Sequence, residues 1–160
     1  TLAGLALVAT LTLAVGLLSV KASAKLQDSQ SSGGRIEGTW RVQVTLRICQ
    51  TGAEIRTFPA LLTFANGGTL TGTSTVLSPG WRSPDQGIWS HTGGQSYQAV
   101  DETFIFNPAG AWVATQRLTQ NIQLSADGDT LSSDAHTEFF DTAGNLTSSG
   151  CATAVATRMQ

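Results

Sequence analysis

Two histidines stand near carboxylates in this chain, and each pairing could move a proton. His91 belongs to a polar and aromatic group with Trp89, Tyr97, Asp101 and Glu102. A histidine beside an aspartate can act as a general base, its pKa tuned by burial and by the carboxylate. His91, Asp101 and Glu102 are therefore the candidate catalytic residues, although the same side chains serve equally well as hydrogen-bonding groups beside a hairpin. His136 and Glu138 form the second pair. They share a strand face with Asp134 and Phe140, opposite Ala135 and Phe139, which assigns them to a solvated outer face. Ser148-Ser149-Gly150 lacks the flanking glycine and the strand-to-helix setting of a hydrolase serine. The histidines have no metal-ligand spacing, so neither a metal nor a cofactor is expected.

A different chemistry is suggested by Trp112, Ala114, Gln116, Leu118, Gln120, Ile122 and Leu124, which share one face of a strand. Two glutamines in an otherwise dry row cost roughly 1–3 kcal/mol each if buried without partners. They must bond inside the protein or line a wet pocket. Gln116 and Gln120 are accordingly candidate polar anchors for a small ligand, with Phe104, Phe106, Trp112, Leu118, Ile122 and Phe139 as candidate apolar walls. Trp81, on an irregular segment between Pro79 and Pro84, either covers such a pocket, meets a partner or tucks against its own domain.

Strands must position these residues. Trp40, Val42, Val44, Leu46 and Ile48 alternate with Arg41, Gln43, Thr45 and Arg47, a period of two that predicts a strand with one dry face. Similar runs follow at about 55–65, 69–76, 86–91, 96–106, 111–125, 130–140 and 145–157. Between them lie Asn66-Gly67-Gly68, Thr92-Gly93-Gly94, Asn107-Pro108-Ala109-Gly110, Asp127-Gly128 and Asp141-Thr142-Ala143-Gly144, whose glycines and asparagines suit tight hairpins. Short turns make successive strands antiparallel neighbours. Only 77–85 reads as a longer, exposed loop, and no helical period follows residue 35.

The fold class expected is all-β: one antiparallel, up-and-down, eight-stranded barrel over 36–160, which removes both sheet edges by joining first strand to last. An open two-sheet sandwich would satisfy the same alternation. Cys49 and Cys151 are the only cysteines, an even pair that reads as a disulfide in an exported protein. If they face one another across the closing seam, Val42 stands opposite Arg158.

Gly38-Thr39-Trp40 at the start of the first strand, after a polar arm and before a meander of eight strands, resembles the lipocalin and wider calycin pattern. The resemblance covers about 36–160 and implies that Trp40 plugs the closed end of the barrel. The first loop, about 49–54, is shorter than that family's lid, and no C-terminal helix follows. Allene oxide cyclase and dirigent barrels share the eight-stranded architecture.

Residues 1–24 read as a signal peptide whose basic n-region is missing: twenty uncharged residues, then Lys21 and an Ala22-Ser23-Ala24 cleavage site. An uncleaved membrane anchor is the alternative. Residues 25–35 are polar and read as a flexible linker. The formal charge is −2, and loss of 1–24 removes only Lys21. No nucleic-acid footprint results, and no attraction to an anionic membrane once the signal is cleaved. The expectation is a secreted, periplasmic or envelope protein that binds a small hydrophobic ligand. A barrel cyclase or isomerase using His91, Asp101 or Glu102 is one alternative, and a structural or protein-binding envelope domain is another. The sequence leaves ligand, reaction, protein partner and oligomeric state open.

Overall fold

Alternating β-branched and polar residues, punctuated by glycine turns, produce eight strands: β1 (Gly38–Arg47), β2 (Glu54–Ala65), β3 (Thr69–Ser74), β4 (Asp85–Gly93), β5 (Ser96–Phe106), β6 (Trp112–Leu124), β7 (Thr130–Phe140) and β8 (Leu146–Arg158). This is a computed structural model that describes residues 35–78 and 80–160. The expected signal peptide and all but the last residue of the expected linker lie outside the described residues.

The strands close in sequence order into one antiparallel barrel, β8 pairing with β1. Two turns show how short polar segments enforce the hairpins. Asn107 Oδ1 accepts from the amides of Ala109 and Ala111, and Asp141 Oδ1 accepts from those of Ala143 and Asn145. Gly110 and Gly144 then take positive φ angles of 79° and 86°, a conformation a side chain would oppose. Hydrogen bonds from the Asn145 side chain, and then from its backbone, hold the Asp141 carboxyl below its ordinary pKa.

One end of the barrel is packed solid. Trp40 and Ile36 are fully buried there, with Phe64, Leu70, Ile122, Leu124 and Leu131 around them. Trp40 donates through Nε1 to the Ile36 carbonyl at 2.9 Å, so its one polar atom is satisfied at no loss of apolar contact. Phe64, Trp89 and Tyr97 continue the layer edge-to-face, with centroids 6.2 and 5.8 Å apart. Among the described residues no buried side-chain nitrogen or oxygen lacks a partner.

The seam differs from its expected register. Trp40, not Val42, stands opposite Arg158, and Arg47 stands opposite Cys151. The disulfide does form, with Cα atoms 5.2 Å apart. Cys49, however, lies beyond β1 in a turn where Thr51 and Gly52 donate to the Ile48 carbonyl. The chain has already begun to fold back, so the cystine bridges the seam without its members being ladder partners. A slip of two residues preserves which side chains face inward.

Candidate functional site: a polar cluster inside the barrel

Above the packed end the inward side chains become small. Ala60, Ala135, Ala152 and Ala154 leave a cavity of about 290 Å³ in the half of the barrel that carries the disulfide. Its wall is apolar, formed by residues such as Val44, Leu62, Leu118 and Phe139. Shallower depressions on the outside, such as that bordered by Gln43, Ser132 and Val155, lack this enclosure.

One side of the cavity is polar. Asp85 at the start of β4 and Asp101 on β5 are 5% and 2% exposed. Arg82 reaches in from the segment before β4 and holds Asp85 through two nitrogens, at 3.0 and 2.5 Å. Its Nε lies 3.4 Å from Gln116 Oε1. Gln120 donates from Nε2 to Asp101 Oδ2 at 3.0 Å. Gln116, Gln120, Arg82 and both aspartates line the same cavity.

Two glycines make room for the aspartates. Gly72 pairs with Asp85 and Gly87 with Asp101 across adjacent strands. A Cβ at Gly87 would stand 2.6 Å from the Cβ of Asp101, and one at Gly72 would stand 3.1 Å from an Asp85 carboxylate oxygen. A larger residue would collide with Asp101 and the Val100 carbonyl at position 87, and with Leu62 at position 72, so the glycines are needed for close approach rather than for turning.

Burial pushes the Asp101 carboxyl up to about 7, and the neighbouring Asp85 carboxylate adds to the rise. The Gln120 hydrogen bond and the Arg82 charge oppose it only in part. Desolvation dominates because a carboxylate loses its hydration among apolar walls. Near neutrality Asp101 can therefore hold or release a proton inside the cavity.

The sequence-derived candidates divide. Gln116, Leu118, Gln120 and Phe139 line the cavity. Ile122 packs below it, in the core of the closed end. Phe104 and Trp112, expected as walls, are instead 51% and 45% exposed and meet edge-to-face with centroids 5.9 Å apart. Phe104 alternates with the buried Asp101 and Thr103 and so faces outward by simple parity, whereas for Trp112 the reason is a bulge: Ile105 pairs with Ala114 but Phe106 pairs with Trp112, leaving Val113 as an extra residue. The insertion breaks the alternation that would have aimed Trp112 inward. Phe106 is half-buried beside the mouth segment, its amide donating to the Trp81 carbonyl.

The three catalytic candidates do not converge. His91 is exposed, its Nε2 2.8 Å from the Gly94 carbonyl oxygen and its ring against Tyr97. Glu102 faces outward and pairs with Arg117 at 2.6 Å. Only Asp101 reaches the interior. His136 is exposed on the outside of β7, and among the described residues no group of three or more His, Cys, Asp or Glu side chains could hold a metal.

Arg82 and Asp85 were concealed in a segment expected to be an exposed loop. Arg82 instead bridges to Ile105 and the Ser83 amide donates to the Phe104 carbonyl, extending the sheet ahead of the start of β4. The available signal was parity. Asp85 shares its face with Gly87 and Trp89, and Arg82 stands three residues before it with the opposite charge.

No protein-family model, curated protein or solved structure matches the chain.

Proposed function

We propose that this protein is a binding module, exported from the cytoplasm, that takes one small, mainly apolar molecule into the open half of its barrel. The observation that carries the reading is the cavity itself. About 290 Å³ lies within an otherwise closed sheet, near the lower end of the range of small-molecule sites and about twice the size of a cavity that accepts benzene. The cluster of Arg82, Asp85, Asp101, Gln116 and Gln120 on one wall would fix the orientation of a polar group on an otherwise apolar body. The disulfide fits an oxidising compartment. A lipocalin-like carrier is the family reading in keeping with a closed eight-stranded meander whose sealed end holds Trp40.

The cyclase or isomerase alternative needed His91, Asp101 and Glu102 together. With His91 exposed and Glu102 paired outside, that version has no support.

The test is titration with an environment-sensitive apolar dye, alongside native mass spectrometry of protein produced in its own host. Saturable uptake of one dye per chain, or a copurifying small molecule of fixed stoichiometry, is the expected result. A protein that takes up no apolar probe and carries no small molecule would defeat the proposal.

A further inference from the structure

The charge on the polar wall of the cavity is unbalanced: Asp85 and Asp101 stand beside one guanidinium, that of Arg82. Arg82 is committed to Asp85 by two hydrogen bonds, so the pair is neutral as a unit and closed to further strong pairing. Asp101 has no such partner. Its carboxyl receives a hydrogen bond from the neutral Gln120, onto Oδ2. Asp101 is 2% exposed, yet it lines the cavity. Arg47, the other cation on the cavity lining, is turned to Thr153 Oγ1 at 2.8 Å and the Gly52 carbonyl at 3.0 Å. Around Asp101 the wall is therefore acceptor-rich, with two carboxylates sharing the single guanidinium of Arg82, and it faces an apolar wall.

We infer that the cavity selects a small apolar amine, its ammonium group held at the Asp101 carboxylate and its hydrocarbon body against Val44, Leu62, Leu118 and Phe139. This rests on the binding reading above and names the chemical class of ligand. An ammonium carries donors only, which suits a wall whose one committed guanidinium is already spent on Asp85. A carboxylate ligand at this wall would meet two aspartates and a guanidinium already paired with one of them. A neutral alcohol would gain the apolar contacts but would leave the Asp101 charge uncompensated. Glycine at 87 is consistent with this use, since a Cβ there would press on Asp101 at 2.6 Å.

The ligand preference depends on pH with a definite sign. The charged groups facing Asp101 are Asp85, from β4, and Arg82, from the segment before it; β6 presents only the neutral Gln116 and Gln120. Asp101 gains a proton as pH falls through about 7, whereas an alkylamine stays cationic across that range. Amine binding should weaken toward acid, and alcohol binding should not.

The experiment compares phenethylamine, phenethyl alcohol and phenylpropionate by calorimetric titration of the oxidised protein. At about pH 8.5 the amine should bind at least about tenfold more tightly than the alcohol, and by about pH 5 the preference should shrink to about twofold or less. Phenylpropionate should bind most weakly at the alkaline end. Asp101→Asn should abolish the preference for the amine over the alcohol at alkaline pH. Equal affinity for amine and alcohol at alkaline pH, or a preference that ignores pH, would overturn the inference while leaving the binding function intact. These wild-type profiles decide the matter even if Asp101→Asn folds poorly. If neither these compounds nor a neutral apolar dye enters, the binding function itself falls, and the inference with it.

Discussion

The guanidinium of Arg158 lies over the indole of Trp40, 4.3 Å from the ring centroid. The two residues are also ladder partners across the β1–β8 seam. Arg158 further donates to the carbonyls of Gly128, Glu37 and Arg35, at 2.8, 2.6 and 2.6 Å. One side chain thus covers the tryptophan that fills the sealed end, straps the entering chain beneath it and ties in the turn before β7.

Both residues should matter to stability more than to binding. Trp40→Ala removes a fully buried indole and should cost about 3–5 kcal/mol. Arg158→Lys keeps the charge but loses the planar fork and should cost about 1–3 kcal/mol. Urea midpoints would measure both. A near-neutral Arg158→Lys would show that the strap contributes little beyond charge.

The cystine joins positions 102 residues apart and closes the mouth end of the seam. The Cys49→Ala, Cys151→Ala double variant should lose about 2–5 kcal/mol, chiefly through a less constrained unfolded chain. Thermal melting of the variant against the oxidised protein is the direct measurement, and an unchanged midpoint would remove the bridge from the account of stability.

Asp101 should make the folded state sensitive to pH. Its pKa is about 7 when folded, against about 3.9 for an unfolded-chain aspartate, so the folded state binds more protons between those values. The contribution to stability is fully present below the unfolded pKa and is lost as pH rises through about 7. Three units at about 1.4 kcal/mol each put the loss at up to about 4 kcal/mol. Asp101→Asn should therefore raise the melting temperature at about pH 8 and change it little at about pH 4. A variant equally destabilised at both would contradict this sign.

Filling the cavity should separate binding from folding. Ala154→Leu places new methyl groups against the void beside Ala152 and Leu62. Apolar dye uptake should fall at least about tenfold, while stability changes by less than about 1.5 kcal/mol because the added volume enters space already empty. A variant that retains full dye affinity would locate the dye elsewhere.

The strands were legible because each obeys a period of two and ends in glycine, asparagine or aspartate turns. The alternation from Trp40 to Ile48 and the run expected at 130–140, for example, are β1 (Gly38–Arg47) and β7 (Thr130–Phe140). Gln116 and Gln120 could be assigned together because nothing interrupts the alternation of β6 between them. Trp112 was misassigned because an extra residue in the ladder leaves no mark in composition, yet reverses the face of everything beyond it. Arg82 and Asp85 were missed for a related reason. Apolar periodicity finds dry faces, and a charged pair that neutralises itself inside a barrel looks, in sequence, like a solvated loop.

The seam also fixes how the molecule is held. The chain enters at Arg35 and Ile36 beneath Trp40, and it leaves beside the same spot, where the Met159 amide donates to the Thr39 carbonyl. Both ends of the barrel's chain thus emerge at the sealed floor, opposite Cys49 and the mouth. Anything that secures the protein through either end grips it like the stem of a cup, with the brim turned away from the point of attachment.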